Sequence, residues 1–238
     1  MKPDTFDQIE SASDDAKPQE RRVDSAYNAL KESIIGNKMP PGSIVMEKEI
    51  AADFGMSRTP VREAIIRLQD EGLVKVIPRR GVVISSISRD DMKEIYEILM
   101  SLETTAIELL AKRKLDQDSP EILQLEAAIL RMQQSLEQDN LEDWAKADSE
   151  FHNLILRHCG NSRLNKMAQA VSDQANRVRV ATLRLRPKPT ESTQEHADTV
   201  EAIKRHDIDA ARISHRQHRE RHADMLLDLT ERYNLRHM

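Results

Sequence analysis

Gly55-Met-Ser-Arg-Thr-Pro-Val-Arg-Glu-Ala64, followed by Leu73-Val-Lys-Val-Ile77, Pro78-Arg-Arg-Gly81 and Val82-Val-Ile84, decides how this chain folds. Ser57 stands where a helix N-cap belongs, and Pro60 with Glu63 behind it suits a first helical turn. A helix should therefore run from about Arg58 to Glu71, with Gly72 closing it. Two β-branched runs around the basic turn at residues 78–81 then predict a hairpin. Further upstream, residues 47–54 read as a two-turn helix stopped by Gly55, and residues 39–42 as a turn followed by the short apolar stretch Ile44-Val45-Met46. Val23, Ala26, Tyr27, Leu30, Ile34 and Ile35 give the three-four spacing of an amphipathic helix over residues 23–35, ended by Gly36. Helix, helix, glycine-bounded turn, helix, hairpin is the layout of a winged helix-turn-helix. In that layout the later helix enters the major groove and the hairpin lies against the backbone or minor groove.

Downstream the character changes. Ser88-Arg-Asp-Asp91 reads as another helix start, and Ile95, Ile98, Leu99, Leu102, Ala106, Leu109 and Leu110 form one long stripe. Helical segments are expected near residues 89–114, 119–138, 141–158, 161–184, 191–206 and 207–234, with Pro187 and Pro189 marking the one clear loop. With no strand candidate after residue 84, this half should be an all-helical bundle. The fold class is thus mainly α: an N-terminal winged helix-turn-helix with a small β-hairpin wing, and a C-terminal all-α helical bundle. The expected division is a disordered acidic tail over 1–20, a DNA-binding domain over 21–86 and a helical effector and dimerisation domain over 87–238.

Composition agrees. Six Gly, nine Pro and seven aromatic residues in 238 leave too few turn residues and large side chains for a many-stranded sandwich or barrel. The net charge of −5 is uneven, being −4 over residues 1–20, +3 over 21–86 and −4 over 87–238. A basic block inside an acidic chain suits a polyanion-binding module, because phosphate contacts need Lys and Arg. Cys159 is the single cysteine and cannot form an internal disulfide. No apolar run approaches the roughly 20 residues that span a bilayer. The acidic start lacks the apolar stretch of a secretion signal and the composition of a transit peptide. A cytoplasmic protein with no membrane partner is expected.

The exposed N-terminal end of the 58–71 helix carries Ser57, Arg58, Thr59 and Arg62. Arg58 and Arg62 are four apart and share a face; an Arg can fork onto guanine O6 and N7, while hydroxyls and helix-start amides hold phosphates. Arg79, Arg80 and Gly81 supply a second basic element in the hairpin. In the second half, Asp148 and His152 are also four apart, so both project from one helix face. His196 opens a later helix, and His215, His218 and His222 lie in the last one. One carboxylate and three imidazoles suit zinc, with nickel or manganese as alternatives. Spacing alone does not choose among the three late histidines.

The stretch Tyr27–Gly81 closely resembles the GntR family of bacterial transcription regulators. It does so through Leu30-Lys-Glu-Ser-Ile-Ile-Gly36, Pro41-Gly42, Glu47-Lys48-Glu49, the 55–64 decapeptide, Glu71-Gly72-Leu73-Val74 and Pro78-Arg79-Arg80-Gly81. That resemblance implies DNA contacts from Lys48, Arg58, Thr59 and Arg62, with Arg80 and Gly81 at the wing tip. Lys48 stands where some relatives carry Arg, which implies a plain phosphate charge pair. Residues 88–222 resemble the FCD effector domain of the FadR-type subgroup. The resemblance implies metal ligands Asp148, His152, His196 and His218, leaving His215 and His222 as surface or outer neighbours. Many relatives carry an Arg four residues before the position of Glu103, where it clamps an effector carboxylate; here the residue is Leu99. Arg177, Arg179 and Arg184 are the replacement cations considered.

Together these readings describe a homodimeric, metabolite-responsive repressor that reads a palindromic operator and binds a small organic acid through its metal. The competing reading is a metal-dependent hydrolase whose Asp/His3 centre activates water.

Overall fold

In the computed structural model, residues 18–233 are described. The first helix, α1 (Pro18–Ile35), buries Val23, Ala26, Leu30 and Ile34, so the anticipated stripe is the one that packs. It starts five residues earlier than its apolar pattern. Pro18 takes the opening of the helix, a position that tolerates its missing N–H, and the turn it starts is polar and exposed. Residues 18–20, expected in the disordered tail, are therefore helical; the rest of that tail lies outside the described residues.

After α2 (Glu47–Asp53) comes α3 (Arg58–Asp70), which turns Val61, Ala64, Ile65 and Leu68 into the core formed with Ala26, Leu30, Ile34, Leu73 and Val82. The wing is β2 (Val74–Ile77) paired antiparallel with β3 (Gly81–Ile84), Val76 opposite Val82. Instead of a bare hairpin, the sheet has three strands in the order β1-β3-β2, because Ile44–Val45 (β1) pairs with the free edge of β3. That contact explains Gly81. Its φ is 111°, and a Cβ there would lie 2.8 Å from the Val45 carbonyl oxygen, so any side chain would push β1 off the sheet.

The C-terminal half comprises α4 (Arg89–Lys112), α5 (Pro120–Glu137), α6 (Leu141–His158), α7 (Ser162–Ala181), α8 (Thr190–Lys204) and α9 (Ile208–Arg232). Helix α4 opens with a capping box: Asp91 N–H donates to Ser88 Oγ (3.1 Å), and Ser88 N–H donates to the Asp91 carboxylate (2.9 Å). The segment expected to be helical through residue 184 breaks at Thr182, whose hydroxyl bonds back to the Val178 carbonyl (2.8 Å). A single 3-10 turn, Leu183–Leu185, follows.

Two apolar layers hold the bundle. One joins Leu110, Leu125, Trp144, Phe151, Leu164 and Val200; the other joins Tyr96, Leu99, Val178, Leu226 and Leu229. Between them α4, α6, α8 and α9 contribute Glu103, Asp148, His152, His196, His215, His218, Arg219 and His222, all buried. Helix α7 connects the halves. Its Asp173 meets Lys31 of α1 at 2.5 Å, Gln174 donates to the Glu71 carbonyl (2.8 Å), and Arg177 donates to the Ser85 carbonyl.

Candidate DNA interface and metal centre

Ser57 sits at the N-cap of α3 with extended backbone, and its side chain makes no capping bond. Ser57, Arg58, Thr59 and Arg62 are exposed, as are Lys48 of α2 and Arg79 and Arg80 of the wing. Lys48, Arg58, Arg79 and Gly81 line one concavity of about 330 Å³ between the start of α3 and the wing. No carboxylate among the described residues pairs with any of these lysine and arginine side chains, so their charge is presented outward. Arg67, further along α3, is held by Asp24 at 2.6 Å and lies over the Tyr27 ring. The N-terminal end of α3 is therefore the basic, open end.

In the buried layer, His152, His196 and His218 place one ring nitrogen each within 4.8 Å of the others. Asp148 Oδ1 lies 3.0 Å from His196 Nε2 and 3.6 Å from His152 Nε2. The resemblance-based set of Asp148, His152, His196 and His218 thus converges from α6, α8 and α9. His218 Nδ1 bonds Glu195 Oε2 at 2.7 Å, which fixes its proton there and leaves Nε2 as the free lone pair. Arg221 in turn grips Glu195 with two bonds of 2.8 and 2.5 Å.

A divalent ion fits this donor set. Both ring nitrogens of His152, Nδ1 of His196 and Nε2 of His218 are buried without a hydrogen-bond partner, an arrangement that is costly unless something else occupies those lone pairs. Burial holds His152 and His218 well below the ordinary imidazole range, with Arg219 also disfavouring the charged form of each, so both stay in the neutral, ligating state. Burial pushes the Asp148 carboxyl up, but Arg179, His152 and His196 together outweigh it and hold Asp148 well below the carboxylate range. One carboxylate oxygen and three imidazoles suit a borderline first-row cation with positions left open.

His215 and His222 are not on the surface. They are 0% and 1% exposed. His215 Nε2 lies 2.9 Å from Glu103 Oε2, and Glu103, His152 and His215 form a second group that shares His152 with the first. His222 Nε2 meets Ser192 Oγ at 2.8 Å. The replacement arginines separate cleanly. Arg179 lies 3.4 Å from Asp148 at the cluster, whereas Arg177 is committed to the Ser85 carbonyl and Arg184 is exposed and paired with Glu142 at 2.6 Å. Arg177 thus gives one donor to the domain junction and keeps Nε and Nη2 buried without a hydrogen-bond partner, while Arg184 lies on the surface.

Sequence reasoning missed Glu103 and Arg219. Both are 0% exposed and are joined by two bonds, Nε to Oε2 at 2.6 Å and Nη2 to Oε1 at 2.5 Å. Burial raises the Glu103 carboxyl, and Arg219 with His152 and His215 more than reverses this, holding it well below its usual range. The available signal was a charge inside an apolar stripe, since Glu103 falls on the same face as Leu99, Ala106 and Leu110.

A family model described as "Bacterial regulatory proteins, gntR family" matches residues 22–84, and one described as "FCD domain" matches residues 94–221. The chain belongs to the GntR family, with an FCD domain. It is a DNA-binding transcription regulator by that membership. An HTH-type transcriptional regulator from the TAR-I ttuE-ttuC' intergenic region of Agrobacterium vitis is 41% identical over 135 residues, covering 57% of this chain and 79% of that one. The HTH-type transcriptional repressor RspR of Escherichia coli (strain K12) is 26% identical over 192 residues, covering 81% and 83%. Among solved structures, E. coli McbR/YncC shares the fold of this GntR regulator with a TM-score of 0.78 at 20% identity, covering 87% and 98%. Among the described residues no helix is long and apolar enough to cross a membrane.

Proposed function

We propose that this GntR regulator is a cytoplasmic repressor, homodimeric on a palindromic operator, whose FCD domain holds a divalent metal and a small organic acid. The proposed domain boundary lies between residues 86 and 87. One basic helix end and one wing cover a short half-site, and two related by a twofold axis read an inverted repeat. Arg58 and Arg62 are assigned to base edges, Lys48, Ser57 and Thr59 to phosphates, and Arg79, Arg80 and Gly81 to the wing contact. Zinc suits the ligands Asp148, His152, His196 and His218, with nickel and manganese as alternatives. The bound ion would supply a Lewis-acidic anchor for an oxygen of the effector.

The carrying observation is the run of buried, unpartnered imidazole nitrogens one helix away from the DNA-binding half. Helix α7 offers a route between the two. Arg179 faces Asp148, while Asp173, Gln174 and Arg177 hold Lys31, Glu71 and Ser85 of the DNA-binding half. A ligand that favours one setting of α7 by about 1.4 kcal/mol changes operator affinity tenfold.

Selection from random duplexes should return an inverted repeat, and Arg58→Ala should bind that repeat about 1–3 kcal/mol more weakly. Elemental analysis should find a divalent metal that His218→Ala loses. Enrichment of no repeat refutes the operator assignment, and metal-free protein with unchanged His218→Ala content refutes the centre.

A further inference from the structure

The concavity between the wing and the start of α3 is only half accounted for by phosphate binding. Lys48, Arg58 and Arg79 line it with cations, against the single carboxylate of Glu47. The rest of its lining is apolar and includes Met46 and Val76, each 38% exposed. Met46 reaches the wing tip, where a Cβ on Gly81 would lie 3.0 Å from its Sδ. Phosphates engage the cations and leave a thioether and a valine facing water, so the groove suits a ligand that is at once acidic and apolar.

The chain carries such a segment of its own. Residues 1–17, which precede the described chain, hold five carboxylates against two lysines. Within them Asp4-Thr-Phe-Asp-Gln-Ile-Glu10 has three carboxylates, no basic residue, and Phe6 and Ile9 three apart. The segment also enters from the right side. Asp24 of α1 pairs with Arg67, and Tyr27 and Lys31 with Glu71, so α1 and α3 advance in the same sense and α1 begins toward the Arg58 end of α3. Pro18 stands about 9 Å along α1 from Asp24, and Arg58 about 14 Å along α3 from Arg67. The chain from Glu10 to Pro18 extends to about 26 Å, which covers the remaining gap and the usual interhelical spacing of about 8–10 Å.

We propose that residues 4–10 seat in this groove of their own chain, Phe6 and Ile9 on Met46 and Val76 and the three acids among Lys48, Arg58 and Arg79, and so compete with DNA for it. The inference rests on the assignment of those cations to DNA contact and adds an occupant to the same surface. Competition of this kind restrains binding that depends on phosphate charge alone. A tethered segment acts at an effective concentration of the order of millimolar, so a free affinity of only about 0.5 mM lowers DNA affinity about threefold.

Photocrosslinking and DNA binding test this in the full chain. With Phe6→p-benzoylphenylalanine, irradiation should join residue 6 to peptides holding Met46 or Val76, and an excess of mixed-sequence DNA duplex should suppress that product. Phe6→Ser/Ile9→Ser keeps every charge and should bind the duplex about threefold tighter at low salt. Asp4→Asn/Asp7→Asn/Glu10→Gln should tighten binding at least as much, and unchanged melting temperatures check that both variants fold. Tightening by the charge variant alone, with Phe6→Ser/Ile9→Ser equal to the parent, would mean that the acids merely repel DNA, and overturns the docking. Crosslinks confined to other surfaces overturn it too and leave the DNA assignment standing on its own Arg58→Ala test. A groove crosslink that excess duplex fails to suppress overturns the competition and, with it, the assignment of this groove to DNA.

Discussion

Acidifying metal-free protein from pH 7.5 to 5.5 should cost it about 4 kcal/mol of stability. His152, His218 and His222 are fully or nearly fully buried, and burial holds each well below its free value of 6.5. A base whose folded pKa is depressed binds fewer protons folded than unfolded, so stability falls as pH drops below the unfolded pKa and keeps falling toward the folded one. At pH 7.5 about a tenth of unfolded imidazoles carry a proton; at pH 5.5 about nine tenths do, so each group withdraws about 1.4 kcal/mol. Three such groups withdraw about 4 kcal/mol against a typical total of roughly 5–15. His215, lowered by burial against the pull of Glu103, adds in the same direction. Glu103 and Asp148 stay silent here. Their stabilisation is present above the unfolded carboxyl values of 4.5 and 3.8 and is lost only further down, as pH falls through their depressed folded values. Asp173 opposes the trend, because burial raises its carboxyl despite Lys31, and it gains stability as pH falls toward that raised value. Urea melts of chelated protein at the two pH values measure the difference directly. A loss under about 1 kcal/mol would mean that the folded cluster takes up protons freely, and the buried-neutral account of the imidazoles would be wrong.

Two further outcomes test the packing. Glu103→Leu or Arg219→Met alone should cost about 3–5 kcal/mol by stranding a buried charge, whereas the double variant should recover much of that loss; additive losses in denaturant melts would show that the two bonds do not couple. Lys31→Met leaves the buried Asp173 without its cation and should cost of the order of 2 kcal/mol, part of the loss being recovered as Asp173 takes up a proton. It should also speed proteolysis between Ser85 and Ser88, and an unchanged cleavage rate would show that α7 does not fasten the DNA-binding half.

What the sequence made legible follows from how local each signal is. The α3 helix and wing are written in caps, a proline at the helix start, a closing glycine and β-branched runs, all within a few residues of the structure they specify. β1 escaped because two residues carry no periodicity; only the proximity of β3 makes Ile44–Val45 a strand. The start of α1 escaped for the opposite reason, being a polar turn with no apolar face to announce it. The buried polar layer is the instructive case. Along α9 the buried residues run Ala211, His215, His218, Arg219, His222, Leu226 and Leu229, spaced as any core-facing stripe. Periodicity in hydrophobicity cannot detect this face, since its middle contains no apolar side chain. The helix period is nevertheless intact once histidine and arginine are counted as interior residues. Such an interior survives only where its charges and lone pairs are answered, by Glu103 and Glu195 within the chain. The ring nitrogens that remain unanswered, on His152, His196 and His218, are the ones the proposed metal would take. The same helix that bears Arg179 grips Lys31, Glu71 and Ser85. In the proposed switch, a ligand at the cluster would therefore act on the setting of the recognition helix through α7.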